Sequence, residues 1–407
     1  MTDYQGRDIS RTLQDALANM PAVILTGMRQ VGKSTLLQQD SAFSHRRYIT
    51  LDDFAQLEAA KQSPESLLEG EDPLTIDEAQ RCPELLIAIK RAIDRKRVPG
   101  RYLLSGSANF TLLKNVTETL AGRSVYLTLH PFSLREGEGK AKHPPFISKF
   151  FHSPYPPKGS TRPIATTDIL SGGMPSVRLE HLKTPSVWFK GYEQTYMDRD
   201  LRQLAQVGDL LAFRRLLQLV ALRSGQILNI SDLGRDAKLN TPTTTRYLNL
   251  METSFLIHRI GPFLSNPLSR LIKSPKLYIS DSGLACHLAG IHDPNVFTQT
   301  PIRGTMLETF VVQNIVSILE AHMSEAKLFF WNVQGRHEVD FIIESGQDVV
   351  AIEVKSASRW NSVDLSGLHA FLESTPRCRA AILGYNGSEP AQLGERLWAI
   401  PLRMLLS

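Results

Sequence analysis

The residues with the clearest chemistry are Gly27, Gly32, Lys33 and Ser34, in a stretch that reads AVILTGMRQVGKSTLL from Ala22 to Leu37. They fit the pattern G-x-x-x-x-G-K-[ST], whose glycines let backbone N–H groups close on a polyphosphate. Gly27 opens the turn, and Gly32 lets the backbone approach the ligand. Lys33 would reach the β- and γ-phosphates of ATP while the Ser34 hydroxyl ligates Mg²⁺, which prefers hard oxygen donors. Met28, Arg29, Gln30, Val31 and Thr35 complete the wall of such a site. The alternative is a glycine turn that matches by chance. Against it stands the context: a buried-strand run, Val23, Ile24 and Leu25, precedes the loop, and a helix beginning at Thr35, Leu36 and Leu37 follows. A helix N-terminus favours an anion.

A second acidic signal follows at Leu74, Thr75, Ile76, Asp77 and Glu78, an apolar strand that ends in two acids. In doubly wound sheets ligands bind at the carboxyl edge of the strands. Asp77 would hold the Mg²⁺ with Ser34, and Glu78 would polarise the water that attacks the γ-phosphate. A strand-end acid also serves as a helix cap; the upstream glycine loop is what favours the catalytic reading. The next strand, Arg101 to Ser105, runs into Gly106, Ser107, Ala108 and Asn109. Ser107 is the first choice for a polar group orienting the attacking water, with Ser105 and Asn109 as rivals and a plain helix cap as the alternative. Arg123, before a fifth strand at Ser124 to Leu129, could neutralise phosphate charge in a neighbouring subunit, or lie idle on the surface.

Farther along, Glu338 to Glu344 and Val349 to Val354 flank Ser345, Gly346, Gln347 and Asp348, which predicts a β-hairpin. Centred on Gly346 and Gln347, it would set Asp340 opposite Glu353 and Glu338 opposite Lys355, all on one face. The other face would hold Val339, Phe341, Ile343, Val350, Ile352 and Val354. Facing acids destabilise a sheet, so the pair asks for a cation. A divalent metal would supply it, with Lys355 positioning a water; the bland alternative is a solvated charged rim with Lys355 paired to Glu338. Between these regions, Ser231 through Ala237 and Thr241 through Glu252 predict two helices around a turn at Leu239 and Asn240, with Phe255 to Ile260 as a wing strand. Thr243, Thr244, Thr245, Arg246 and Asn249 are what such a second helix would offer to DNA.

The words GMRQVGKST, LTIDEAQ, LSGSA, LAGR and HPFS, in this order, resemble the AAA+ superfamily. More narrowly they are similar to a prokaryotic branch of ATPases related to the archaeal-type ATPases, in which GGMP, RDLRQLA, KSPKLYISDSGLA and EVDF…IEVK also recur. That resemblance implies an additional-strand P-loop core, oligomeric rings, hexamers included, and a lid arginine at the nucleotide, for which Arg199 competes with Arg214 and Arg215. Asp340 followed by Glu353-Val354-Lys355 resembles the PD-(D/E)XK nuclease fold of archaeal Holliday junction resolvases, with Glu308 matching its helix acid.

These sites have to be positioned by an α/β chain long enough for two to three domains at 407 residues. The expectation is a doubly wound parallel sheet over 1–136 and a proline-rich basic linker over 137–163. An all-α lid and winged-helix segment would follow over 164–298, and a small α/β restriction-endonuclease-like domain over 299–407. Dense prolines from Pro144 to Pro163 argue against regular structure in the linker. No run of eighteen apolar residues is present, and the first residues lack a secretory pattern, so no membrane partner and a cytoplasmic home are expected. Cys82, Cys286 and Cys378 are isolated and lack metal spacing. A net charge of +5 permits nucleic acid without demanding it.

The reading is Mg²⁺-dependent ATP hydrolysis coupled to remodelling or movement on DNA, branched junctions included. Its rivals are an ATP-regulated metal-dependent nuclease and a non-catalytic nucleotide switch that binds protein partners.

Overall fold

The computed structural model describes residues 4–106, 120–155, 158–180, 182, 184–195, 209–264, 266–333 and 336–407. Ser107, Asn109 and Arg199 lie outside the described residues.

β1 (Ala22–Thr26), β2 (Arg47–Thr50), β3 (Leu74–Asp77), β4 (Tyr102–Ser105) and β5 (Ser124–Thr128) form a parallel sheet in the order β2-β3-β4-β1-β5. β4 therefore separates the strand that feeds the glycine loop from the strand that ends in Asp77. β1 is buried along its whole length because successive side chains enter different cores. Val23 and Leu25 pack with Leu13 and Leu17 of the helix Ser10–Asn19 on one face. Ala22 and Ile24 pack with Leu85, Leu86, Ile89 and Ile93 of the helix Pro83–Arg95 on the other. Apolar strands read continuously here because helices cover both faces of a parallel sheet.

The second sheet contains β6 (Ile257–Pro262), β7 (Lys276–Ile279), β8 (Lys327–Val333), β9 (His337–Ser345), β10 (Asp348–Lys355), β11 (Cys378–Tyr385), β12 (Ala391–Gly394) and β13 (Leu397–Pro401). Its order is β12-β13-β11-β10-β9-β8-β6-β7. The segment expected to be all-α thus supplies β6 and β7 to the C-terminal sheet, and β6 joins it by pairing Gly261 with Phe329. The sheet crosses the boundary placed near residue 298 because β7 and β8 both need β6 as the strand between them.

The expected linker is also built differently. Its helix Phe146–His152 drives Phe146, Ile147, Phe150 and Phe151 into the main core. Phe150 meets Trp398 edge-on with centroids 5.3 Å apart, and the Phe146 N–H donates to the Ser407 carbonyl at 2.8 Å. Prolines forbid a ladder but not packing, and Pro145 stands at the helix start, where its missing N–H costs nothing. One apolar cluster runs from Ile9 to Leu406, so the units share a core.

The hairpin forms with Ser345 paired to Asp348 and Phe341 to Ile352. Its two faces are not one charged and one apolar, however. A bulge between the β8–β9 pairs Phe329–Ile342 and Trp331–Val339 turns Val339 to the side of Ile342, Val349 and Ala351. Phe341, Ile343, Val350, Ile352 and Val354 fill the opposite core. Both faces of the strands are buried, and the charges gather at one end.

Candidate functional site

The glycine loop bends as its residues require. Gly27 has φ 142°, and a Cβ there would lie 2.2 Å from the Leu129 carbonyl oxygen. Gly32 has φ 92° and caps the helix Lys33–Gln39 from the left-handed region. Lys33 curls over the loop, donating to the carbonyls of Gly27 at 3.1 Å and Met28 at 2.8 Å. Ser34 and Thr35 are exposed on the first turn, as is Gln30 in the loop; Arg29 is half-buried and Met28 and Val31 are buried.

Asp77 ends β3 at 2% exposure. Its Oδ1 accepts the Glu78 N–H at 3.0 Å and the Ser105 hydroxyl, and its Oδ2 accepts the Tyr48 hydroxyl at 2.6 Å. Tyr48 lies near the Ser34 and Gln38 side chains, so it stands between loop helix and acid. Glu78 sits at φ 55° and ψ 37°, and Gln80 donates to its Oε2. Burial pushes its carboxyl above the ordinary range, and the nearby Lys33 ammonium works against that rise. Lys33, Ser34, Asp77 and Glu78 therefore meet at the carboxyl edge of β1 and β3. The hydroxyl of Ser34 and the carboxylate of Asp77 are hard oxygen donors of the kind Mg²⁺ takes together with nucleotide phosphates.

Arg123 is not brought to this edge. It precedes β5, at the end of the sheet away from the loop, and holds Asp94 through Nε at 2.6 Å and Nη2 at 3.0 Å. Of the lid candidates, Arg214 pairs with Glu193 at 2.9 Å and Arg215 donates to the Ala237 carbonyl at 3.2 Å.

Sequence reasoning missed Tyr48 because nothing in the chain says that β2 lies beside β3. It missed Arg7 as well, which donates to the carbonyls of Val31 at 2.9 Å and His130 at 2.6 Å and to Glu136 at 3.0 Å. The recurring words GGMP and SDSGLA have a packing origin. Asp281 accepts the Gly173 N–H at 2.7 Å, and a Cβ on Gly173 would meet the Phe132 carbonyl oxygen at 2.2 Å. Pro175 of the same turn reaches the loop, where it would touch a Cβ on Gly32 at 3.7 Å.

At the C-terminal sheet, Glu308, Asp340, Glu353 and Lys355 do come together. Asp340 Oδ2 accepts the Val354 N–H at 2.8 Å, and Lys355 bonds Glu353 at 2.9 Å. Burial raises the carboxyls of Glu308, Asp340 and Glu353, and Asp340 raises the other two further by repulsion. Part of the compensating charge is supplied by the chain itself. Lys276 of β7, 4% exposed, pairs with Glu338 and stands 3.8 Å from Asp340 Oδ1. Among the described residues, no group of three or more His, Cys, Asp or Glu side chains could hold a metal ion.

The two helices around the expected turn form as Ile230–Ala237, capped by Asn229 rather than within by Ser231, and Thr241–Thr253, capped by Asn240. Thr244 is fully buried, its hydroxyl bonded to the Asn240 carbonyl at 2.9 Å and pressed on Gly234, so it cannot touch DNA. Thr243 is half-buried, and Arg246 is exposed.

Loop, acids and strand order together define an AAA-type P-loop ATPase domain, and residues 19–137 match the family described as AAA domain. Residues 165–295 and 303–405 match two domains of unknown function, DUF8612 and DUF4143. The chain is 29% identical over 406 residues to uncharacterized proteins of Mycobacterium bovis and Mycobacterium tuberculosis, covering 99% of this chain and 85% of each relative. It is 23% identical over 296 residues to a protein of Haemophilus influenzae, covering 66% of this chain and 69% of the relative. Among solved structures it is similar to a Walker-type ATPase of Pyrococcus abyssi, with 18% identity, a TM-score of 0.45, and coverage of 70% of this chain and 96% of that one. No helix among the described residues is long and apolar enough to cross a membrane.

Proposed function

We propose that this chain hydrolyses ATP with Mg²⁺ and uses the cycle to act on DNA. The observation that carries the ATPase half is the meeting of Lys33, Ser34, Asp77 and Glu78 at one sheet edge, with Glu78 inside the electrostatic field of Lys33. Lys33 and the loop N–H groups bind the phosphates, and Ser34 and Asp77 hold the metal. Glu78 takes the proton of the attacking water, and Ser105 and Tyr48 fix the Asp77 carboxylate. Mg²⁺, when bound, neutralises charge on the β- and γ-phosphates. Arg123, turned away from its own loop, could meet only the nucleotide of a neighbouring subunit, which is how a ring would use it.

The DNA half rests on the paired helices Ile230–Ala237 and Thr241–Thr253 with the exposed Arg246, and on the net charge of +5. A shared core joins these helices to the ATPase sheet, so a loop movement has a packed route to them. Lys276 offsets part of the charge of the acid cluster, through Glu338 and Asp340, which favours a scaffold over cleavage. A second reading, a nucleotide switch that docks protein partners, is favoured by Leu268, Leu271 and Ile272, which stand 70%, 84% and 83% exposed on the helix Pro267–Ile272.

The test is ATP hydrolysis by the purified chain with and without single-stranded, duplex and four-way-junction DNA, beside Glu78→Gln. Stimulation by one DNA form supports the reading and names the substrate; indifference to every form moves it to the protein-binding switch.

A further inference from the structure

The stretch LTIDEAQ ends in Gln80, two residues past the acid that would activate water. On a helix, side chains two apart point to opposite sides, and on a strand they stand about 6.6 Å apart. Gln80 Nε2 nevertheless donates to Glu78 Oε2, because the backbone folds back between them. Glu78 has φ 55° and ψ 37°, a left-handed conformation uncommon for a residue with a β-carbon, and the 3-10 turn Ala79–Arg81 starts directly after it. The Arg81 N–H closes that turn on the Glu78 carbonyl at 3.0 Å. Ala79 and Cys82, both fully buried in the core they share with the helix Pro83–Arg95, pin the turn on either side of Gln80.

The Glu78 N–H is tied to Asp77 Oδ1 at 3.0 Å, which holds the backbone of the acid but not its carboxylate. The terminal torsion of a glutamate is broad, so the plane of the carboxylate is set by whatever holds one of its oxygens. We propose that Gln80 is a positioning residue for Glu78: its side-chain amide grips Oε2 and fixes the plane of the carboxylate, so that the group is aimed before the attacking water arrives. The inference rests on the reading of Glu78 as the group that takes the proton of that water. An amide suits the task, since it donates a hydrogen bond without taking part in proton transfer. In this role Gln80 touches neither phosphate nor metal, so its loss shows in turnover and not in nucleotide binding.

The experiment measures kcat and KM for ATP and the affinity for a fluorescent ADP analogue, with the full chain, Gln80→Leu, Glu78→Gln and the double variant. Gln80→Leu keeps most of the side chain's bulk and removes the donor. Its kcat should fall about 10- to 100-fold while KM and nucleotide affinity hold. Added to Glu78→Gln, read in single turnovers with the protein in excess, it should cost no more than about twofold further, because no base is left to aim. A merely structural role would lower both backgrounds by the same factor. Gln80→Met also lacks the donor and serves should the first variant fail to fold. Wild-type or raised kcat in the Gln80 variants, equal losses in both backgrounds, or a loss carried by nucleotide affinity overturns the inference while Glu78→Gln remains impaired. Wild-type turnover by Glu78→Gln, or no ATP turnover by the unaltered chain, overturns the reading of Glu78 and this inference with it.

Discussion

Arg7 donates from Nη1 to the Val31 carbonyl oxygen at 2.9 Å, so a side chain from outside the matched domain holds the glycine loop in place. The same guanidinium pairs with Glu136 at 3.0 Å and lies 4.1 Å over the Phe132 ring. Arg7→Ala would leave Glu136 buried without its cation. A loss of about 3 kcal/mol is expected, the low end for a broken buried pair, since backbone N–H groups of Asp8 and Ser133 still reach Glu136. Arg7→Lys keeps the charge but not the fork, so its loss is smaller while loop alignment still suffers. Urea unfolding and nucleotide titration of both variants check this; wild-type stability in Arg7→Ala would contradict it.

Glu78→Gln is expected to cut the turnover of ATP by about 10²- to 10⁴-fold while nucleotide binding persists. In the wild-type chain burial holds the Glu78 carboxyl above 4.5, and a base works only when ionised. Turnover should therefore fall with acidification starting above the usual glutamate range. A kcat profile still flat at pH 4.5 would show that another group limits the reaction.

His130 and His258 pack with centroids 5.6 Å apart. Burial holds both well below 6.5, to about 3 for His130 and about 4 for His258, with His258 and Arg7 adding to the effect on His130. Below pH 6.5 the unfolded chain takes up protons that the folded chain refuses, so stability falls as pH falls from 6.5 toward 4 and is fully present above that window. His258→Phe removes one such proton, and the slope should flatten by up to about 1.4 kcal/mol per pH unit. Urea titrations at pH 7, 6 and 5 read it directly.

Thr244 and Arg246 separate folding from DNA contact on one helix. Arg246→Ala should leave the melting temperature unchanged and reduce the salt slope of DNA binding by about one. Thr244→Ala should lower stability by about 1 kcal/mol, because a buried hydroxyl loses its bond to the Asn240 carbonyl, with the salt slope unchanged. Fluorescence anisotropy on duplex DNA at several salt concentrations, with thermal melts alongside, distinguishes the two. The reverse pattern would remove the helix from the DNA interface.

Lys276→Ala should destabilise the C-terminal sheet by about 3–5 kcal/mol, since Glu338 and the buried Asp340 lose their shared cation. The variant should recover part of that loss at lower pH, where the acids take up protons. Chemical denaturation at pH 8 and pH 6 measures both. Equal losses at the two values would mean that the ammonium is not what the acids depend on.

The local chemistry was written in the chain. Gly27 and Gly32 occupy backbone conformations that disfavour a side chain, so the sequence had to declare them. The apolar runs of β1 and β3 named strands covered on both faces, and the hairpin register followed from Gly346 and Gln347. Those signals depend on neighbours along the chain. What the chain could not declare are partners brought by topology: Tyr48 reaches Asp77 because β2 lies beside β3, and Arg7 reaches Val31 because its segment folds against the loop.

Only the tertiary structure decided which cation the acids receive and where the units divide. Spacing placed Asp340, Glu353 and Lys355 together and the resemblance added Glu308, but neither could see Lys276 arriving on β7 from the segment expected to be helical. Composition made 137–163 a linker, whereas burial of Phe146, Phe150 and Phe151 against the C-terminal sheet made it part of the core. Proline and charge report what the backbone near them can do. Apolar burial is shared among elements far apart in sequence, and it settles only when the whole chain has folded.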